Sequence, residues 1–221
     1  LLYRSPAAKD QSYVLYSLTQ DQLAHTLFPL GNMEKPSVRA LAEEHQLPVA
    51  HKADSQEICF VQDNDYAGFI ERYTGKPSVP GDFIDAQGNL LGRHRGVTHY
   101  TIGQRKGLGF AFGKPMFVTA IDPQKNTVTL GEEGEQYAPA LIAVQFNWIA
   151  FDTPCEPFDA QVKVRYQARP ADARVFPAED GAVRIEFAEP QRSVTPGQAV
   201  VLYQGDLVVG GGTIRSAVKP A

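Results

Sequence analysis

Cysteine is scarce in these 221 residues: only Cys59 and Cys155 occur, far apart and with no Cys-x-x-Cys pair. That scarcity argues against a structural zinc site and against a secreted disulfide scaffold, and makes a reducing cytoplasm the default compartment. Long apolar runs are missing too. None approaches the roughly 20 residues needed to cross a bilayer, and no signal peptide heads the chain, so no membrane partner is expected. No two of the five histidines stand at helical i, i+4 spacing, so metal binding is not expected. Internal repeats and low-complexity tracts are absent. An initiator methionine is absent as well: the chain starts at Leu1 in mid-pattern and reads as a piece of something longer.

What is present is an ordinary globular composition, with 43% hydrophobic and 21% charged residues. The length suffices for one large domain or two small ones, each with its own core. A net charge of −4 counts against a non-specific nucleic-acid binder. The charge is unevenly spread, however. No acidic residue lies between Asp85 and Asp122, while Arg93, Arg95, Arg105, Lys106 and Lys114 all fall inside, with His94 and His99 able to add charge in mild acid. Two readings stand side by side: a solvated hairpin surface, and a phosphate-facing patch on an otherwise acidic protein.

The periodicity divides the chain into three. To about residue 75 it predicts helices. Thr19 and Gln22 form a capping box, with Leu18 and Leu23 as the hydrophobic staple, and Leu23, Leu27 and Phe28 continue the stripe until Pro29 and Gly31. A second helix opens on Pro36 and buries Val38, Leu41 and Ala42, ending by Pro48. A third starts near Asn64, buries Tyr66, Phe69, Ile70 and Tyr73, and stops at Gly75. From about residue 76 the period changes to two. Hairpins are predicted around Gln87-Gly88-Asn89 and around Asp122-Pro123-Gln124-Lys125-Asn126, and the loop from Gly103 to Gly113 is expected not to be rigid. After about residue 140 about six short strands follow without a helix, with alternation at Val162, Val164 and Tyr166 and at Val183, Ile185 and Phe187. That pattern predicts a small closed barrel or a sandwich. Gly210-Gly211-Gly212 reads as a bulge or a close backbone approach in the last strand.

Few residues carry obvious chemistry. Cys59, in the polar segment Asp54-Ser55-Gln56-Glu57-Ile58-Cys59-Phe60, has three readings: a buried small hydrophobe, a redox-sensing or peroxidatic thiol, or a nucleophile and sulfur carrier. A helix amino end nearby would lower its pKa, while Asp54 and Glu57 would oppose this. Cys155, between Pro154 and Pro157, reads as a loop residue without a special role. Gly113-Lys114-Pro115 is not the end of a P-loop, since no Ser or Thr follows the lysine. No Ser-Gly-Gly-x-Asp-Ser segment, the kind that grips ATP pyrophosphate in PP-loop enzymes, occurs either.

The Asp54–Phe60 segment, taken with His99-Tyr100-Thr101-Ile102-Gly103-Gln104-Arg105-Lys106-Gly107-Leu108-Gly109, resembles the bacterial tRNA-specific 2-thiouridylases. Lys9-Asp10-Gln11-Ser12-Tyr13, Lys35-Pro36-Ser37-Val38-Arg39, Val164-Arg165-Tyr166, Thr195-Pro196-Gly197-Gln198 and Gly210-Gly211-Gly212-Thr213-Ile214 extend the likeness in order over essentially the whole chain. The resemblance implies an α+β, mostly β fold. Residues 1–55 would be the helical tail of an α/β PP-loop domain, 56–139 a small β-rich central domain, and 140–221 an antiparallel β-barrel. It implies that Cys59 carries a persulfide, supplied by a sulfur donor or relay protein. That sulfur would displace AMP from the adenylylated C2 oxygen of the wobble uridine of tRNA, and a partner cysteine in the PP-loop domain would end as a disulfide with Cys59. By the same likeness Lys9, Asp10, Gln11, Arg165, Tyr166 and Gln198 contact tRNA. Lys9 and Arg165 suit phosphate, Tyr166 suits stacking, and Gln11 and Gln198 suit sugar or base edges. Tyr166 has an equally simple reading as a barrel-core aromatic. Arg105 and Lys106 would meet the anticodon-stem backbone from a mobile loop near the active site. ATP with magnesium belongs to the PP-loop domain, so this chain alone binds no cofactor and is expected to be inactive. Two alternatives from other classes are a non-catalytic RNA-binding module with a translation-factor-like barrel and a thiol peroxidase.

Overall fold

A computed structural model describes residues 1–6, 10–52, 58, 60–61, 65–178 and 180–219. The chain forms two compact units, one of Leu1–Ala53 with Pro139–Ala221 and one of Asp54–Ala138.

In the first unit six strands close into a barrel: β5 (Tyr137–Trp148), β6 (Phe158–Lys163), β7 (Ala171–Pro177), β8 (Val183–Arg192), β9 (Ala199–Gln204) and β10 (Leu207–Val218), in the order β10-β5-β8-β7-β6-β9. The predicted closed barrel is therefore present. Closure leaves no free sheet edge, which is how a short all-β segment manages its unpaired backbone groups. Alternation does the rest. Val183, Ile185 and Phe187 are buried while Arg184 is exposed. Strand β9 breaks that rule, with Val200 to Tyr203 all buried. A strand buried on both faces needs a second cover. The amino-terminal segment provides it: Leu2 and Tyr13 pack with Ile149, Val201, Tyr203 and Val208, flanked by Leu15, Tyr16 and Leu23.

Backbone pairing ties that segment down. Tyr3 bridges Leu207 antiparallel, Val208 N–H donates to Leu2 O at 2.9 Å and Arg4 N–H to Asp206 O at 2.7 Å. Asn147 Nδ2 donates to the carbonyls of Tyr16 (2.7 Å) and Leu18 (2.9 Å). The glycine triplet makes this closeness sterically possible. A Cβ on Gly211 would stand 2.6 Å from Tyr16 Cδ2 and 2.7 Å from Val200 O, and one on Gly212 would stand 2.7 Å from Val144 O. The pairing of β10 with β5 slips between Gly211 and Thr213, so the triplet is both a bulge and a close approach.

The helices of this unit are α1 (Ser12–Leu15), α2 (Gln20–Ala24) and α3 (Lys35–Glu44). The capping box at Thr19 and Gln22 is formed as predicted. Helix α2 nevertheless ends at Ala24, and Leu27 and Phe28 lie exposed beyond it rather than continuing its stripe. Helix α3 opens with Pro36 in its first turn, but it buries no residue and Leu41 is exposed. It ends before Pro48, where Gln46 turns left-handed at φ 54°.

The second unit holds a four-stranded sheet of β1 (Gly81–Ile84), β2 (Leu90–His94), β3 (Phe117–Asp122) and β4 (Thr127–Gly131), ordered β2-β1-β4-β3. Both predicted hairpins are there, turning at Gly88 (φ 87°) and Asn126 (φ 53°). The parallel β1–β4 pair joins them. Phe83, Tyr100, Leu108, Met116, Val118, Val128 and Leu130 form the core. Helix α4 (Tyr66–Thr74) is capped by Asp65, whose carboxylate accepts from Gly68 N–H at 2.9 Å, and is stopped by Gly75 in the left-handed region. Its only buried residue is Ala67; Tyr66, Ile70 and Tyr73 are exposed, contrary to the predicted stripe.

Candidate nucleic-acid interface

Residues from three separate stretches meet at one end of the barrel. Strand β6 stops at Lys163, and the chain turns there, with Ala168 N–H donating to Arg165 O at 3.1 Å. This removes Tyr166 from the strand alternation. It is 40% exposed, so the barrel-core reading does not hold. Arg165 is also exposed, its guanidinium donating to the carbonyl of Arg192 at 3.2 Å.

Tyr13 of α1 ties these stretches together. Its ring meets that of Tyr166 edge-on at 6.1 Å between centroids, and its hydroxyl donates to Ala199 O at 2.7 Å. Ala199 follows Gln198, which is exposed in the turn ahead of β9. Burial raises the Tyr13 and Tyr203 hydroxyl pKa values above the ordinary tyrosine value.

Asp10 organises the start of α1. Its Oδ1 accepts from the amides of Ser5 (3.1 Å) and Ser12 (3.0 Å), and its Oδ2 from Ser12 Oγ (2.7 Å). Arg4 Nε lies 3.4 Å from the same Oδ2. Burial on its own would raise the Asp10 pKa, but the Ser12 and Ser5 hydrogen bonds and the Arg4 charge outweigh it and hold the carboxyl below its ordinary value. Arg4 in turn lies over the Tyr203 ring at 5.2 Å. Gln11 is the exposed residue before α1. Tyr13 thus links the segments that carry Asp10 and Gln11, Arg165 and Tyr166, and Gln198. Lys9 lies outside the described residues.

Sequence reasoning passed over Tyr13, Arg4 and Lys163. Lys163 is buried, with its ammonium 5.6 Å from the Tyr13 ring and 5.7 Å from the Tyr166 ring. The one available signal was a lysine lodged between Val162 and Val164 at the close of an apolar strand.

The second unit carries the basic stretch. Its loop is pinned to the core: Gly103 N–H donates to Val118 O (2.7 Å), Val118 N–H to Gln104 O (3.0 Å), and Leu108 is buried. The Gln104 side chain braces the turn, accepting from Thr101 N–H at 2.9 Å and donating to Lys106 O at 3.0 Å. Arg105 and Lys106 are exposed beside these anchors. The patch is also smaller than the sequence implies. Arg93 pairs with Asp82 at 2.9 Å, and Lys114 pairs with Glu132. His94 is buried, accepting from Gly96 N–H on Nδ1 (3.0 Å) with Nε2 3.1 Å from Asn126 O, a pattern that suits the neutral ring. Burial lowers its pKa, which works against the charge the sequence suggested it could add in mild acid.

Cys59 lies outside the described residues. Cys155 is an exposed free thiol. Among the described residues no group of His, Cys, Asp and Glu could hold a metal ion, and no helix is long and apolar enough to cross a membrane.

The family models match the parts of the chain in succession. Residues 1–63 match the tRNA methyl transferase HUP domain, 67–132 the tRNA methyl transferase PRC-barrel domain, and 139–214 the aminomethyltransferase beta-barrel domain. Relatives named tRNA-specific 2-thiouridylase are similar over nearly the whole chain. That of Acetivibrio thermocellus is 58% identical over 207 residues, covering 94% of this chain and 58% of its own length. That of Clostridioides difficile is 50% identical over 210 residues, covering 95% and 58%. That of Caldicellulosiruptor saccharolyticus is 52% identical over 219 residues, covering 99% and 60%. The chain belongs to the tRNA-specific 2-thiouridylase family, and it spans about three fifths of the length of the relatives it matches.

Proposed function

We propose that this chain is the sulfur-accepting and tRNA-docking part of a cytoplasmic tRNA 2-thiouridylase, organised as segments 1–55, 56–139 and 140–221. The observation that supports the docking half is that Tyr13, two residues after Gln11, touches the Tyr166 ring beside Arg165 and bonds Ala199 beside Gln198. Nothing in sequence spacing requires residues so far apart to share one surface. Arg165 offers a cation to phosphate and Tyr166 an exposed ring to a base, while Gln11 and Gln198 offer amides. Asp10 has most of its acceptor capacity engaged within the chain, so it acts chiefly by fixing the residues beside it. Arg105 and Lys106, on their anchored loop, add a second phosphate contact, and Lys9 a third.

The chemical half rests on the family resemblance. A donor or relay protein places a sulfur on Cys59 as a persulfide. A persulfide is more acidic than a thiol, so its terminal sulfur is largely anionic near neutral pH and attacks readily. It attacks C2 of a wobble uridine already activated as an AMP ester. The C2–O bond breaks, AMP leaves, and the sulfur bridges Cys59 and C2. A second thiolate then attacks the Cys59 sulfur, forming a disulfide and leaving the bridging sulfur on C2. The sulfane sulfur is reduced by two electrons and the two thiols are oxidised by two, so the step balances. Activation by ATP and magnesium needs a pyrophosphate-gripping motif, and no residue of this chain is assigned to it.

Donor-treated chain, analysed by mass spectrometry, should carry one added sulfur at Cys59 yet form no 2-thiouridine, even with ATP and tRNA. Cys59 should also alkylate faster than Cys155 near neutral pH. In the longer enzyme Cys59→Ser should abolish thiolation and leave tRNA binding intact. Normal 2-thiouridine formation by that variant would sink the sulfur-carrier role, and equal alkylation rates would favour a plain RNA-binding module.

A further inference from the structure

Lys163 is the one lysine or arginine buried among the described residues, and neither the barrel nor the sulfur chemistry uses it. An ammonium is costly to remove from water, so its retention at the end of an apolar strand needs a cause. Its surroundings supply one. The Nζ lies 5.6 Å from the Tyr13 centroid and 5.7 Å from the Tyr166 centroid, within the range of attraction to both ring faces, and the two rings meet edge-on at 66°. Asp10 and Arg4 are the charged groups that bear on it from the amino-terminal segment.

We propose that Lys163 is a positioning residue for RNA recognition, its ammonium holding the Tyr166 ring against Tyr13 so that the exposed part of that ring is set in advance to stack on an unpaired base. The inference rests on the docking reading above and adds a residue to it. Tyr166 lies beyond the end of β6, where the strand ladder no longer restrains it. A free tyrosine there would lose rotamer freedom on stacking, whereas a ring already held loses little. The ammonium faces both rings, and it acts through Tyr166.

The test is binding of the 221-residue chain to a tRNA transcript with an unmodified wobble uridine, followed by fluorescence anisotropy across a salt series. Folding is checked by the fluorescence of Trp148, the single tryptophan. Tyr166→Ala should weaken binding about 5- to 150-fold, the loss expected for one base–aromatic stack. Lys163→Met should weaken it roughly 2- to 30-fold, the range of one cation–ring contact, and leave the salt slope unchanged. Combined with Tyr166→Ala, Lys163→Met should add nothing further. Lys163→Arg keeps a cation and should bind within about threefold of the parent chain. It also carries the test if the neutral variant does not fold, since a loss as large as that of Tyr166→Ala would then overturn the proposal. Additive losses in the double variant, or a salt slope lowered by about one contact in Lys163→Met, would make Lys163 a phosphate ligand and overturn it too. If Tyr166→Ala weakens binding while Lys163→Met does not, only this inference falls. If Tyr166→Ala binds like the parent, or the parent prefers tRNA no more than an unrelated duplex, the docking reading fails and takes this one with it.

Discussion

Replacing Gly211 by alanine tests how the amino-terminal segment is seated on the barrel. The new Cβ would stand 2.6 Å from Tyr16 Cδ2, 2.8 Å from Tyr16 Cγ and 2.7 Å from Val200 O. The tyrosine ring has room to swing, but the carbonyl does not: Gly211 is paired with Val201 on one side and Asn147 on the other. Relief must come from displacing Tyr16 and from shifting a strand held by two ladders. Overpacking of that kind costs about 1–3 kcal/mol. For a chain of this size that is a fall of about 2–12 °C in Tm, at roughly 2–4 °C per kcal/mol. Trp148 sits in β5 opposite Gly210 and reports the unfolding of this unit directly. Because the Tyr16 carbonyl accepts from Asn147 and Tyr13 lies one turn earlier, moving Tyr16 should also weaken tRNA binding in the folded variant. An urea midpoint unchanged to within about 0.5 kcal/mol would refute the steric reasoning, since surface substitutions away from such contacts fall in that range.

Other outcomes follow from the same geometry. Arg165→Ala should cost about 1–3 kcal/mol in tRNA affinity and flatten the salt dependence, as loss of one charge-assisted contact; an unchanged slope in a titration series would remove Arg165 from the phosphate contacts. Phe83→Ala, at a fully buried ring packed edge-on against Tyr100, His94 and Phe112, should destabilise the sheet unit by about 3–5 kcal/mol, read from denaturant unfolding followed by tyrosine fluorescence. Thr19→Ala removes one half of the capping box and should cost about 1 kcal/mol in the same assay; no change would mean that α2 is held by packing alone. The pH dependence has a worked sign. The folded pKa of His94 lies below its ordinary 6.5, so its contribution is complete above that value and is lost as pH falls through the folded one. Asp10 behaves alike on the acid side: its folded pKa lies below 3.8, and its contribution is lost only as pH falls through that lowered value. Stability at pH 5 equal to that at pH 8 would contradict the His94 assignment.

Signals that act over a few residues were legible in the sequence. The capping box needs only Thr19 and Gln22 three positions apart, and both hairpins need only a turn that tolerates left-handed backbone, at Gly88 and Asn126. Six short strands without a helix left a closed barrel or a sandwich, and the closed order of the six strands decides for the barrel. The glycine triplet was legible as a close approach, although not what it approaches. Period alone says which residues share a face and not what covers that face. This is why the apolar stripes of α3 and α4 were overread as buried, and why the alternation left Tyr166 between a tRNA contact and a barrel-core aromatic, the second of which the end of β6 at Lys163 removes. Tertiary structure also decided the parallel pairing of β1 with β4, the packing of Tyr13 and Leu2 over β9, and the Lys163 contact with two rings. Each of these joins residues tens of positions apart through non-local burial, and no local pattern encodes such partners.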